Sequence, residues 1–224
     1  MGARSMFSLF KRIPRSAGLL LTLLALIVIT PNIEFGISWL AVELMFDLIL
    51  LSGVYSVGPG RHRWPFLVLT MATLGARWSE LFLGFTGLDL TGLALTAIWL
   101  CYAISITVMR LFQTRDVSLD TIVGAVVTYL LAAVAFSVLF QALEMEAPAS
   151  FSGLPDDIGH RRGELLSAMM YFSFVCITTM GYGDIVPVSN LARPLAVLEG
   201  VFGQLYLAVM IARLVGLHLV SERD

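Results

Sequence analysis

Six stretches of this chain are apolar over most of the length a helix needs to cross a bilayer: Ala17 to Thr30, Gly36 to Val57, Trp64 to Phe85, Leu88 to Phe112, Val117 to Leu143 and Arg193 to Leu219. A crossing helix takes about 20 residues, and no soluble core could hide so many such runs in one short chain. Hydrophobic residues make up 58% and charged residues 13%, against about 25% charged in ordinary soluble domains. The expected fold is an all-α membrane protein with six transmembrane helices. The breaks between runs carry turn chemistry: "TPN", "GPGRHR", "GFTG" and "QTRD".

The formal net charge of -2 gives no reason to expect a nucleic-acid partner, since the basic residues are scattered or sit at the ends of runs. Their placement does predict an orientation. Arg4, Lys11, Arg12 and Arg15, then Arg61 and Arg63, then Arg110 and Arg115, then Arg223 fall on one side, whereas Glu34 and Asp89 mark the other. By the positive-inside rule both termini are cytoplasmic and the protein is a multi-pass plasma-membrane protein. The basic flank ahead of "AGLLLTLLALIVIT" has the outline of a secretory signal but lacks a small-residue cleavage pattern, so an uncleaved first helix is expected. Cys101 and Cys176 both lie inside apolar runs and are expected as buried thiols, outside any disulfide or metal site.

Between the fifth and sixth runs the pattern changes. A polar stretch from Glu144 to Gly163, with Pro148 and Pro155, leads into "ELLSAMMYFSFVCITT". About 14 helical residues reach only about 21 Å, which predicts a re-entrant helix that ends at bilayer depth. Loose backbone there must face protein or water. The helix gives way to "TTMGYGD". Gly181 and Gly183 permit backbone angles closed to other residues, so successive carbonyls can turn to one side and offer a ladder of oxygens to a dehydrated cation. One strand cannot surround an ion, but copies around a shared axis can, which implies four chains.

At these residues the chain resembles the potassium channel family, whose signature filter the segment matches, and the resemblance extends over Val117 to Leu219. The resemblance implies that Thr179, Met180, Gly181, Tyr182 and Gly183 form the selectivity filter, with K+ held at Thr179, Met180, Gly181 and Tyr182. It places Thr178 as the pore-helix threonine, Asp184 as the acid after the filter, Pro187 at the outer mouth, and Tyr171 with Phe172 where an aromatic pair braces the filter. Gly203 falls at an inner-helix hinge, and Gln204, Leu207 and Ile211 at positions lining a central cavity. Two departures stand out: Met180 replaces the usual valine or isoleucine, and Tyr171 and Phe172 replace the commoner tryptophans, which predicts a weaker cuff behind the filter.

The first four runs resemble a voltage-sensing half in number and order. A sensor needs basic residues at every third position of its fourth helix, and "LDLTGLALTAIWLCYAISITVMRLF" has only Arg110, so voltage sensing is expected to be weak or absent. Glu43 and Asp47, then Arg77 and Glu80, occupy the second and third runs, and Glu43 and Arg77 fall at similar depth, which predicts a static ion pair. Glu199, in the outer half of the sixth run, calls for a partner behind the filter. His160, Arg161 and Arg162 belong to an outer loop beside Asp156 and Asp157, while His62 and His218 lie near inner helix ends; none of the three histidines builds a metal site.

The domain organisation read from the chain is a cytoplasmic N-terminus (1–16), a four-helix peripheral membrane domain (17–116), a pore domain (117–219) and a short cytoplasmic tail (220–224). The expected function is a homotetrameric potassium-selective channel conducting passively, with K+ as the permeant ion, membrane lipid as surroundings and no cofactor. A weakly selective monovalent cation channel and a potassium transporter subunit are the alternatives. An enzyme is not expected, because no serine, histidine or paired-aspartate arrangement lies at helix depth. The compact plan points to a prokaryotic membrane.

Overall fold

The computed structural model describes residues 14, 16–30, 39–57, 60, 62–83, 89–114, 118–155, 158 and 162–221. Arg4, Lys11, Arg12, Arg15, Glu34, Arg61, Arg115, Asp156, Asp157, His160, Arg161 and Arg223, with the side chains of Glu43, Glu80, Asp89, Arg162 and His218, lie outside the described residues. The chain is helical: α1 (Ala17–Ile29), α2 (Trp39–Val57), α3 (Arg63–Leu83), α4 (Asp89–Gln113), α5 (Leu119–Glu146), α6 (Arg162–Ile177) and α7 (Ala192–Ser221). Two short strands, β1 (Phe151–Ser152) and β2 (Val186–Pro187), pair antiparallel on either side of α6.

Among the described residues three helices are long and apolar enough to cross a membrane: Leu90–Gln113, Leu119–Glu146 and Ala192–Leu217. Six such helices are therefore not shown. Ala17–Ile29 is apolar, but its 13 residues rise about 20 Å, short of a hydrocarbon core of about 30 Å. α2 has 19 residues and rises about 28 Å, close to that thickness, and α3 has the length but is the least apolar of these helices.

α1 to α6 share one apolar core, while α7 packs in smaller clusters through Tyr206, Met210 and Phe202. Leu19, Leu23 and Leu26 of α1, Phe46, Ile49 and Leu50 of α2, Phe66 of α3 and Trp99 and Leu100 of α4 pack with Val127, Leu131, Val134 and Val138 of α5. Trp99 organises the peripheral part: its ring lies 4.9 Å from that of Phe66, and its indole N–H donates to Thr70 Oγ1 at 2.8 Å. A Cβ at Gly53 would stand 2.5 Å from the Trp99 ring, so glycine lets α2 press against it. Cys101 is exposed and Cys176 half-buried, both as free thiols; neither is enclosed as expected, because Cys101 faces outward from the bundle.

Helix ends are tied by polar contacts. Ser118 opens α5 with a capping box, its Oγ accepting the Thr121 N–H at 3.2 Å. Asp120 in that first turn accepts from the N–H and Oγ of Ser16, joining the starts of α1 and α5. Arg110 donates to the carbonyls of Ser56, at 2.8 Å, and Val57 at the end of α2. Arg213 of α7 donates to Leu111 and, at 2.8 Å, to Thr114 at the end of α4. Each arginine thus meets the negative end of a helix dipole.

Candidate pore and filter segment

α6 is the element that carries the site. It starts with Glu164 in its first turn and packs against α5 and α7. Its far end is closed by backbone hydrogen bonds. Thr179 N–H returns to Cys176 O at 3.0 Å, and the N–H groups of Met180 and Gly181 both return to Val175 O, at 3.0 and 3.4 Å. The chain then runs on from Met180 to Asp184 and is tied down by β2 against β1, with Phe151 opposite Pro187 and Ser152 opposite Val186.

The backbone along this exit has a regular handedness. Thr179 (φ 60°), Gly181 (φ 58°) and Gly183 (φ 78°) are left-handed, while Met180 and Tyr182 between them are not. In an ordinary strand successive carbonyls point to opposite sides; inverting every second residue collects the N–H groups on one side and the carbonyls on the other. Glycine takes that inversion without cost, and Thr179, which is not glycine, takes it at a cost of about 1–3 kcal/mol. Among the described residues no hydrogen bond is accepted by the carbonyls of Thr179, Met180, Gly181 or Tyr182. Thr178 through Asp184 are all exposed in the single chain.

Behind this segment the side chains divide. Tyr171 stacks on Tyr182, with ring centroids 6.5 Å apart, and its hydroxyl donates to Asp184 Oδ2 at 2.6 Å. That hydrogen bond holds the Asp184 carboxyl below the usual carboxylate range. Phe172 turns the other way, into edge contacts with Phe140 and Phe151 at 5.1 and 5.2 Å. Of the two aromatic residues, Tyr171 is the one brought to the filter segment of its own chain. Thr178 Oγ1 donates back to Phe174 O at 2.5 Å.

α7 packs on the end of α6 through small and polar residues. A Cβ at Gly203 would stand 2.5 Å from the Ile177 carbonyl oxygen, which also accepts the Tyr129 hydroxyl from α5 at 2.9 Å. Close approach therefore accounts for glycine at 203. Glu199 has the partner the sequence called for: its Oε1 meets the hydroxyl of Ser173 on α6. Gln204, Leu207 and Ile211 lie on an exposed face of α7, opposite Tyr206, whose hydroxyl donates to Ala125 O at 2.8 Å.

In the peripheral helices Arg77 stands over the Phe46 ring at 4.9 Å, and Asp47 Oδ2 accepts the Trp78 indole N–H at 2.9 Å. The expected partner of Arg77, Glu43, has its side chain outside the described residues. Sequence reasoning missed the Asp47–Trp78 bond, the Tyr171–Asp184 bond and both arginine caps. An acid and a tryptophan on neighbouring helices carry no spacing signal, whereas an arginine in the last turn of a helix does.

Residues 124–217, from α5 to α7, match a family model described as "Ion channel". This region is similar to an ion channel domain. The match takes in the whole of α6, the filter segment and most of α7. Protein LctB of Bacillus caldotenax is 28% identical over 134 residues, covering 60% of this chain and 92% of LctB. Protein LctB of Geobacillus stearothermophilus is 27% identical over 120 residues, covering 54% of this chain and 89% of its own length. No solved structure gives a significant match. An ion channel domain, apolar membrane-length helices and bacterial relatives together support a prokaryotic membrane protein that passes ions passively.

Proposed function

We propose that four copies of this chain form a potassium-selective channel, each contributing Thr179 to Gly183 to a shared axial filter. The observation that carries this is the alternation of left-handed residues at 179, 181 and 183, which turns unpaired carbonyls to one side at the end of a half-length helix. Rings of such carbonyls replace the water shell of K+. The ion is the permeant species, and no cofactor or catalytic step is involved. Gln204, Leu207 and Ile211 would line the cavity below the filter, and Asp184 would make its outer mouth acidic. All four C-terminal ends of α6 would point their negative dipoles at that cavity.

In this proposal residues 17–116 form a peripheral domain, 117–219 form the pore, and the six helices α1–α5 and α7 cross the plasma membrane with both termini cytoplasmic. The shorter helices would complete their crossings with flanking residues and local thinning of the bilayer. Voltage sensing is weak or absent, because Arg110 caps α2 and no arginine series accompanies it. The test is ion flux from liposomes holding the purified chain. Efflux carried by K+ and not by Na+, abolished by Gly181→Ala, supports the proposal; equal efflux of both ions contradicts it and favours the weakly selective pore.

A further inference from the structure

Glu199 is fully buried in α7, one turn before Gly203. The two residues face α6 at Ser173 and Ile177, which are likewise one turn apart. Ser173 is where three helices meet. Its Oγ lies 2.6 Å from the Ala133 carbonyl oxygen of α5 and in hydrogen-bond contact with Glu199 Oε1 of α7. A serine hydroxyl has one proton to give, and a peptide carbonyl has none. Both contacts are full hydrogen bonds only when the carboxyl supplies a second proton.

The other carboxyl oxygen leads to the same state. Glu199 Oε2 is buried with no hydrogen-bond partner among the described residues. On a carboxylate that atom would carry uncompensated charge in a low dielectric, whereas on a neutral acid it is an under-satisfied carbonyl oxygen, which is far less costly. The titratable groups facing Glu199 are Tyr129 from α5 and Cys176 from α6, and neither is a cation. The nearest charged residue on α7 itself, Arg193, directs its Nε to Pro187 O at 3.3 Å.

We propose that Glu199 is held as the neutral acid and donates its proton to Ser173, which donates in turn to the Ala133 carbonyl. The directed chain clamps α7, α6 and α5 together behind the filter segment. Glu199 is thereby a positioning residue: it touches no ion and sets where α6 ends. Removing its proton leaves Ser173 with two acceptors and one donor and loosens the clamp. The consequence for conduction rests on the pore proposed above; the protonation state does not.

The test is an infrared difference spectrum of the intact chain in lipid vesicles, wild type minus Glu199→Gln, at neutral pH. A neutral carboxylic-acid C=O band in the wild type that vanishes in Glu199→Gln is the expected result, and carboxylate bands in its place would overturn the proposal. Ser173→Ala is expected to move that band to higher frequency; an unmoved band removes Ser173 from the chain. Should Glu199→Gln not assemble, carbon-13 NMR of wild-type protein labelled at the glutamate carboxyls reads the same neutral acid without substitution, and its absence is equally decisive. In flux, Glu199→Gln keeps a neutral N–H donor and is expected within about twofold of wild type, while Glu199→Ala loses roughly fivefold to tenfold. Equal losses in both would reject the positioning role. Since the infrared band does not depend on which ion passes, a failure here is distinct from a failure of potassium selectivity.

Discussion

At the scale of single residues, the proposed filter segment depends on a few side chains that hold its backbone from behind. Tyr171 is the clearest case, stacked on Tyr182 and bonded to Asp184. Tyr171→Phe keeps the stack and removes the bond, so the outer end of the filter is expected to lose conducting geometry faster; the decay of current under sustained potassium gradients measures this, and an unchanged decay counts against it. The acid side follows from Asp184. Its carboxyl is held below the ordinary value, so the bond is fully present above about pH 4 and is lost as pH falls through the lowered value. Wild-type decay should be flat from neutral to mildly acidic outer pH and quicken only below that window, whereas a change near pH 6–7 would point to a different group.

Some of these roles could be read from the sequence and others could not. Gly181 and Gly183 announce unusual backbone because no other residue takes positive φ so readily, and Thr179 and Asp184 come with the motif. The bond partners of Glu199 and Asp47 carry no such mark. Ser173 is one small polar residue in an apolar helix, and its importance arises only when α5 and α7 converge on it. Phe172 stands beside Tyr171 in sequence, but successive helical residues face directions about 100° apart, which is why one reaches Tyr182 and Asp184 and the other enters the Phe140–Phe151 cluster.

At the scale of elements, the six apolar runs and the half-length segment before the glycines located the described helices to within a few residues, because hydrophobicity and turn residues mark where helices start and stop. What they did not settle is which helices are both long and apolar enough to cross: the first run matches a helix of only 13 residues, and among the described residues three helices meet both conditions. The contacts between elements were hidden, above all the caps that link α2 to α4 through Arg110 and α4 to α7 through Arg213. Gly203 allows a direct comparison between packing and bending. A Cβ there meets the Ile177 carbonyl, whereas at Gly216 it meets nothing within 4 Å. Gly203→Ala is expected to cost about 1–3 kcal/mol of overpacking and to lower the thermal stability of the assembled protein, with Gly216→Ala near neutral; equal stability of the two would remove the packing role. Gly53→Ala, pressed on Trp99, should destabilise by a similar amount, detectable as a shift in the Trp fluorescence melting curve.

At the scale of the whole molecule, a single chain leaves its proposed working surface uncovered. Val197, Leu198, Val201, Leu205, Val209 and Ile211 of α7 are exposed large hydrophobics, beside a filter segment whose carbonyls accept no hydrogen bond among the described residues. Four copies around an axis would cover part of that surface and complete the ion sites, so cross-linking in mild detergent should stop at four chains, while a ladder that ends at two chains at saturating cross-linker would contradict the shared filter. The decisive measurement is the reversal potential of the purified protein in a planar bilayer with potassium on one side and sodium on the other. A value near the potassium equilibrium limit, lost in Gly181→Ala, is predicted; a value near zero with robust current would contradict potassium selectivity at Thr179 to Gly183.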